Sequence, residues 1–183
     1  HEMIFQPLGM EDTFFHVPPE KADRLAVLYR HDEQEHIVPV DREDRPYLEK
    51  PVFLSGGGGL VSSTADYLRF CLMLLNGGRL DGERILSRKT VELMRQDHLP
   101  PGHGPIRPFN FGYGLGVSCV RSEAEKQALS SAGEFGWGGA ACTNAWIDPR
   151  EDMVSIVMTQ LKPPRRLQIT ERVKITMTQA IDD

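Results

Sequence analysis

The residues best suited to chemistry lie together in one stretch. It reads Gly133-Glu134-Phe135-Gly136-Trp137-Gly138-Gly139-Ala140-Ala141-Cys142-Thr143, followed by Asn144-Ala145-Trp146-Ile147-Asp148-Pro149. Glycines within a strand-like run mark a bulge or a place where backbone comes close to a ligand. Backbone N–H groups that no side chain covers are the donors from which an oxyanion hole is built. The chemistry this pattern suggests is therefore stabilisation of a carbonyl oxygen as it gains charge. A turn at Asp148-Pro149-Arg150-Glu151-Asp152 leads to a second strand-like run, Met153–Thr159. The two runs predict a hairpin whose first strand presents bare amides at its N-terminal end.

Other reactive residue types point nowhere so specific. Cys71, Cys119 and Cys142 are odd in number and widely spaced, which fits neither a disulfide framework nor a Cys-x-x-Cys zinc site. Cys71 falls in an apolar helical run, and Cys142 reads as a packed small residue rather than a nucleophile. His31 and His36 flank four acidic or amide residues, but no His-Glu-x-x-His pattern occurs, so a solvated charged loop is the reading and no metal is expected. Gly56-Gly57-Gly58-Gly59 lacks the Gly-Lys-Ser/Thr that a phosphate loop needs. Phe53 stands where Gly-x-Ser-x-Gly would place its first glycine. No cofactor is expected.

With 183 residues, the chain can bury a substantial core. A formal net charge of -5 and the lack of long basic clusters exclude a nucleic-acid partner, because phosphate binding needs grouped Lys and Arg. No apolar run approaches the roughly 20 residues of a membrane span.

The elements that must position the glycine-rich stretch follow from punctuation and periodicity. Residues 2–8 read as the end of a helix stopped by Pro7 and Gly9. Residues 11–54 are aperiodic, with strand-like pieces at Leu25–Tyr29 and Ile37–Val40. Ser63 caps a helix, with Asp66 in the place of a capping-box acid and Leu68, Leu72, Leu75 and Cys71 on its apolar face; Asn76-Gly77-Gly78 ends it. Leu80–Leu86 is a tight turn with extended arms, and Ser87 caps a helix over 88–97. The segment 111–120 alternates small and large residues as a single strand. Further strands span about 130–147 and 153–160. A final helix over 167–181 carries Ile169, Val173, Met177, Ala180 and Ile181 as a stripe that would lie on the sheet. Strands followed by a helix predict an α/β fold of α+β type, an antiparallel β-sheet covered by helices.

Phe135-Gly136-Trp137-Gly138-Gly139-Ala140 resembles the third motif of the serine β-lactamase and penicillin-binding-protein superfamily, most often Lys-Thr-Gly. The Trp-Gly-Gly form is similar to that of family VIII carboxylesterases, relatives of class C β-lactamases. Ile4–Thr13 and Gly57–Tyr67 resemble two further landmarks in the same order. The resemblance spans nearly the whole chain but only the second half of the family's usual length. No Ser-x-x-Lys occurs among these residues, and none of Tyr29, Tyr47, Tyr67 and Tyr113 is followed two places later by Asn. The expectation is a chain that starts just after the family's Tyr-x-Asn region, its partner being the missing N-terminal half of the same protein, where any leader would also lie.

On this resemblance, residues 1–110 are part of a helical subdomain with a lid-like loop, and 111–183 are the sheet hairpin and helix of the α/β domain. The backbone N–H of Ala140 is the second oxyanion donor. Gly138 and Gly139 admit the acyl group, so Gly139→Val harms catalysis more than folding. Trp137, Phe135 and Ala141 contact substrate. An indole in place of Lys cannot hold a substrate carboxylate, so neutral esters are expected over penicillin-like anions; Trp137 as a packing residue at a sheet edge is the alternative. Lys162-Pro163-Pro164-Arg165-Arg166 could return positive charge to the pocket rim. The implied activity is ester hydrolysis through an acyl-enzyme. A true class C β-lactamase or D-Ala-D-Ala peptidase, or a non-catalytic relative of the fold, are the alternatives.

Overall fold

The computed structural model describes residues 1–40, 46–106, 110–126, 128–163 and 168–182. Its first forty residues hold turns, one 3-10 helix and two short strands. The stretch 2–9 is not the end of a helix: Leu8 N–H reaches Ile4 O at 3.1 Å and Met10 N–H reaches Phe5 O at 2.8 Å, with no run between them. Pro7 offers no donor, and Gly9 takes φ +61°, the left-handed stop the sequence suggested. Strands β1 (Tyr29–His31) and β2 (Ile37–Pro39) pair antiparallel. The first begins later than periodicity implied because residues 19–24 form a 3-10 helix that Leu25 closes through its bond to Ala22 O.

Asp12 anchors this segment, accepting from Lys21 and Arg24 at 2.7 Å each. The bond from Arg24, then that from Lys21, hold its carboxyl well below the usual range. A depressed folded pKa gives stability that is complete above the unfolded value of about 3.9 and is lost as pH falls through the folded one. Asp12→Asn is therefore expected to lower the unfolding temperature at pH 7, with the gap to wild type closing as pH drops below about 4. A gap that stays constant from pH 7 to pH 3 would refute this.

Helix α1 (Thr64–Leu75) opens where expected, with Asp66 N–H donating to Ser63 Oγ at 3.1 Å. The reciprocal half of the box is absent. The Asp66 carboxylate instead accepts from Asp12 N–H at 2.7 Å and from Thr13 Oγ1 at 2.8 Å, tying the preceding loop to the helix. At the other end Gly77 takes φ +66°. Gly77 N–H bonds Leu74 O at 3.1 Å and Gly78 N–H bonds Met73 O at 2.8 Å, a Schellman ending. The buried face is Asp66, Cys71, Met73 and Leu74, while Leu68 is exposed. Residues 67–75 are apolar almost all round, so spacing could not choose a side; contact with Leu8, Met10 and the sheet did.

A two-residue turn, Asp81 at φ +50° and Gly82 at φ +89°, joins β3 (Arg79–Leu80) to β4 (Glu83–Arg84), the pattern hairpins of this length favour. Helix α2 (Arg88–Met94) is capped by Ser87 and ends three residues before the expected 97.

The main sheet runs β5 (Gly112–Tyr113), β6 (Ser118–Cys119), β7 (Phe135–Gly138), β8 (Asn144–Asp148), β9 (Met153–Val157) in order and fully antiparallel. A short helix, α3 (Glu123–Lys126), lies between β6 and β7. Two expectations change here. Residues 111–120 are a hairpin, not one strand, because Gly116 at φ +81° and the Gly114 N–H to Val117 O bond at 2.8 Å reverse the chain. Gly114 is needed for another reason: a Cβ there would lie 2.1 Å from Met94 O, where α2 ends against the sheet. Residues 130–147 are likewise two strands, with the turn inside the glycine-rich stretch.

Phe135, Ala145 and Ile147 point to one face and pack with Cys71, Met73, Leu74 and Leu8. Trp146 alternates to the other face, where helix α4 (Ile169–Thr178) lies; Lys174 Nζ stands 5.5 Å from its ring centroid. Helices thus cover both faces of the antiparallel sheet, an α/β arrangement of α+β type. Of the expected stripe on α4, Ile169, Val173 and Met177 are half-buried, whereas Ala180 and Ile181 fall beyond the helix and are exposed.

Candidate active site

Strand β7 leads directly into the turn of interest. Its pairing with β8 runs from Phe135 opposite Ile147 to Gly138 opposite Asn144, and Gly139 N–H then bonds Thr143 O at 2.8 Å. Cys142 N–H closes a turn to Gly139 O at 3.2 Å, and Cys142 itself takes φ +60°. That is the three-residue hairpin connection, a β-turn followed by a left-handed residue. The first central residue of such a turn has no acceptor for its amide within the turn. Here that residue is Ala140, which is exposed and has no hydrogen-bond acceptor for its N–H among the described residues.

The edge beside it is open as well. Along β7, strand β6 pairs only with Phe135 and Gly136, so from Trp137 onward β7 has no ladder partner on that side among the described residues. The available donor therefore lies past the C-terminal end of β7, not at the start of the β8–β9 hairpin as the sequence suggested. The reason is the turn at 140–142, which apolar patterning does not announce.

A segment the sequence did not single out holds the turn in place. Thr159 Oγ1 donates to Ala141 O at 3.2 Å and to Cys142 O at 3.0 Å. Leu161 N–H bonds Ala141 O at 3.2 Å, and Cys142 Sγ–H reaches Leu161 O at 3.4 Å. Tyr29 extends this pairing, its N–H to Gln160 O at 2.7 Å and its O from Lys162 N–H at 2.9 Å. The Tyr29 contacts join residues over a hundred positions apart, and no local signal reveals them. Of the basic rim expected at 162–166, Pro164, Arg165 and Arg166 lie outside the described residues.

Trp137 is 46% exposed. Its indole meets Tyr113 edge-on at 5.3 Å and Phe111 at 6.1 Å. Phe135, two residues earlier on the same face, is 2% exposed and belongs to the core. Ala141 is half-buried, its carbonyl taken up by Thr159 and Leu161.

Gly138 and Gly139 are glycines for a reason nearer than substrate. A Cβ on Gly139 would lie 2.2 Å from Thr143 Oγ1, and one on Gly138 would lie 3.0 Å from Asn144 Nδ2. Gly139→Val must therefore displace the Thr143 side chain, so it carries a folding cost beside the larger catalytic one expected. Gly139→Ala is expected to destabilise the intact protein by about 1–3 kcal/mol. Adding Thr143→Ala should return more than half of that loss, because the two substitutions act on one contact. Urea denaturation of the four species measures it, and simple additivity would reject the clash.

Electrostatically the site is quiet. Burial pushes the Cys71 thiol up to about 12 and that of Cys119 up to about 11, and it raises Cys142 as well, so all three remain protonated at neutral pH. Asp97 behaves differently. Burial pushes its carboxyl upward, but bonds from the amides of Tyr113 and Leu99 and from Arg121 outweigh this and hold it below the ordinary value.

Comparison with known proteins agrees with this arrangement. The β-lactamase family model matches residues 1–176. Protein Rv1367c of Mycobacterium tuberculosis (strain ATCC 25618 / H37Rv) is 38% identical over 171 residues, which is 88% of this chain and 42% of that protein. Among solved structures, simvastatin synthase (LovD) from Aspergillus terreus superposes with a TM-score of 0.78 at 23% identity, covering 98% of this chain and 48% of that one. EstCE1, described as a hydrolase with promiscuous acyltransferase activity, gives 0.77 at 22% identity, with 98% and 48% covered. The chain thus spans less than half the length of these relatives. The extent of the family match, with a Trp-Gly-Gly-Ala turn at the end of an antiparallel strand, makes this chain a member of the β-lactamase family, within the serine β-lactamase and penicillin-binding-protein superfamily.

Proposed function

We propose that this chain supplies the carbonyl-oxygen side of the active site in a serine hydrolase that cleaves neutral esters through an acyl-enzyme. The observation that carries the reading is the amide of Ala140, exposed and without an acceptor at an open strand edge. A tetrahedral intermediate needs two such donors, and a preformed one requires no reorganisation during reaction. The nucleophile and its base come, in this reading, from the part of the protein outside these residues. Ala140 N–H receives the oxyanion, Gly138 and Gly139 keep the strand thin beside the acyl carbon, and Trp137 with Ala141 borders the substrate. Phe135 supports them from the core. Trp137 presents an aromatic surface where a lysine would present charge, which favours neutral esters over anionic lactams.

The test is acyl-enzyme trapping on the intact protein. Mixing with p-nitrophenyl butyrate should release p-nitrophenolate and add one butyryl group to a serine outside this chain, seen by mass spectrometry, while nitrocefin is turned over far more slowly. Faster nitrocefin hydrolysis would replace the ester reading with the lactamase one. No acylation by either substrate would leave a non-catalytic relative of the fold.

A further inference from the structure

One face of the sheet changes character abruptly at β7. Phe135, Ala145 and Ile147 are each 2% exposed beneath α1, but Trp137, the next side chain on that face of β7, is 46% exposed. The core ends there and an aromatic corner begins. Tyr113 meets the indole at 82° and Phe111 at 67°, with centroids 5.3 and 6.1 Å away. Rings set near right angles enclose a corner rather than a flat stack, and a corner can receive a further ring edge-to-face. Three residues of extended chain, at most about 11 Å, separate Trp137 from Ala140.

Tyr113 sits on a strand of only two residues, too short for its ladder to fix it. Asp97 does so instead. Its Oδ1 accepts from Tyr113 N–H at 3.0 Å and from Leu99 N–H at 3.1 Å, and Oδ2 accepts from Arg121 at 3.1 Å. His98 N–H donates to Tyr113 O at 2.8 Å, so both backbone groups of Tyr113 are held by residues 97–98. A Cβ on Gly112 would come 2.6 Å from Asp97 Cγ, which shows how closely the carboxylate is pressed to the strand.

We infer that Phe111, Tyr113 and Trp137 form the recognition wall for aromatic acyl groups, with Asp97 as the residue that positions it. This rests on the hydrolase reading above and adds the substrate class: esters of arylacetic type over acetates. The wall is three rings without a formal charge among them, so apolar contact and ring geometry dominate its selection.

The experiment compares p-nitrophenyl phenylacetate with p-nitrophenyl acetate on the intact protein, so that only the acyl group differs. Tyr113→Ala should raise KM for the phenylacetate roughly tenfold and leave both KM for the acetate and kcat within about twofold, since an aromatic pair contributes on that order. Asp97→Ala should give the same split, with Asp97→Asn recovering most of it, because the amide oxygen can still accept from Tyr113. Equal losses on both esters together with a lower unfolding temperature would assign the rings to packing and overturn the inference. Fluorescence binding of a non-hydrolysable benzyl ketone analogue separates the two readings. Binding that Tyr113→Ala weakens, in a protein without turnover, upholds the wall and removes only the hydrolase; no binding by the wild type removes the wall.

Discussion

Replacing Ala140 by proline is expected to lower kcat for p-nitrophenyl ester hydrolysis by the intact protein by about a hundredfold or more, the usual consequence of losing one oxyanion donor. Proline suits the backbone here. It is favoured at the first central position of a common β-turn, and the extended conformation it favours in the preceding residue suits Gly139, which directly follows β7 and continues its pairing through the bond to Thr143 O. No hydrogen bond within the fold is given up, because Ala140 N–H makes none among the described residues. The unfolding temperature should therefore change little and KM should stay within a few-fold. Ala140→Ser, which keeps the amide, should retain most of the turnover. A proline variant that hydrolyses esters within threefold of wild type would remove Ala140 from the mechanism.

The second large effect is on stability. Lys174 and Glu134 form a salt bridge across the α4 face of the sheet with side chains 13% and 6% exposed. Lys174 Nζ also donates to Ser130 Oγ at 2.8 Å and lies over the Trp146 ring. Lys174→Met removes the cation while the carboxylate stays buried, and breaking such a pair from one side costs on the order of 3–5 kcal/mol. Lys174→Met with Glu134→Leu should recover most of that, since both members of the buried pair are then apolar. Guanidinium denaturation of wild type, single and double variants measures this. A single variant within about 1 kcal/mol of wild type would show the pair to be idle. The pair lies on the face opposite Phe135 and Trp137, so turnover per folded molecule should hold in the double variant.

Legibility followed the range of the interaction. Ser63 and Ser87 as caps, the glycine ending of α1 and the Asp81-Gly82 turn were readable, because each depends on a backbone conformation that a few neighbouring residues dictate. The face of α1 was not. Its sequence is apolar on nearly every side, and only packing against Leu8, Met10 and the sheet chose Cys71, Met73 and Leu74 over Leu68. Strand boundaries failed where glycines had two possible meanings. In 111–120 they looked like the small positions of a single alternating strand and proved to be a turn and a close approach to α2. Around 139–143 the break came from Cys142 adopting a left-handed conformation that a cysteine does not advertise.

The site divides along the same line. The sequence by itself determined the glycine-rich stretch, the indole within it and, through motif resemblance, the β-lactamase family and its antiparallel sheet; these reside in residue types and short spacings. Only the tertiary structure decided that Ala140's amide is left over by the hairpin, that Thr159 and Leu161 hold that hairpin, and that Asp97 sets Tyr113 against Trp137. The last two are contacts between chain segments whose separation carries no local trace, and the first depends on a hairpin whose geometry exists only once the sheet has formed.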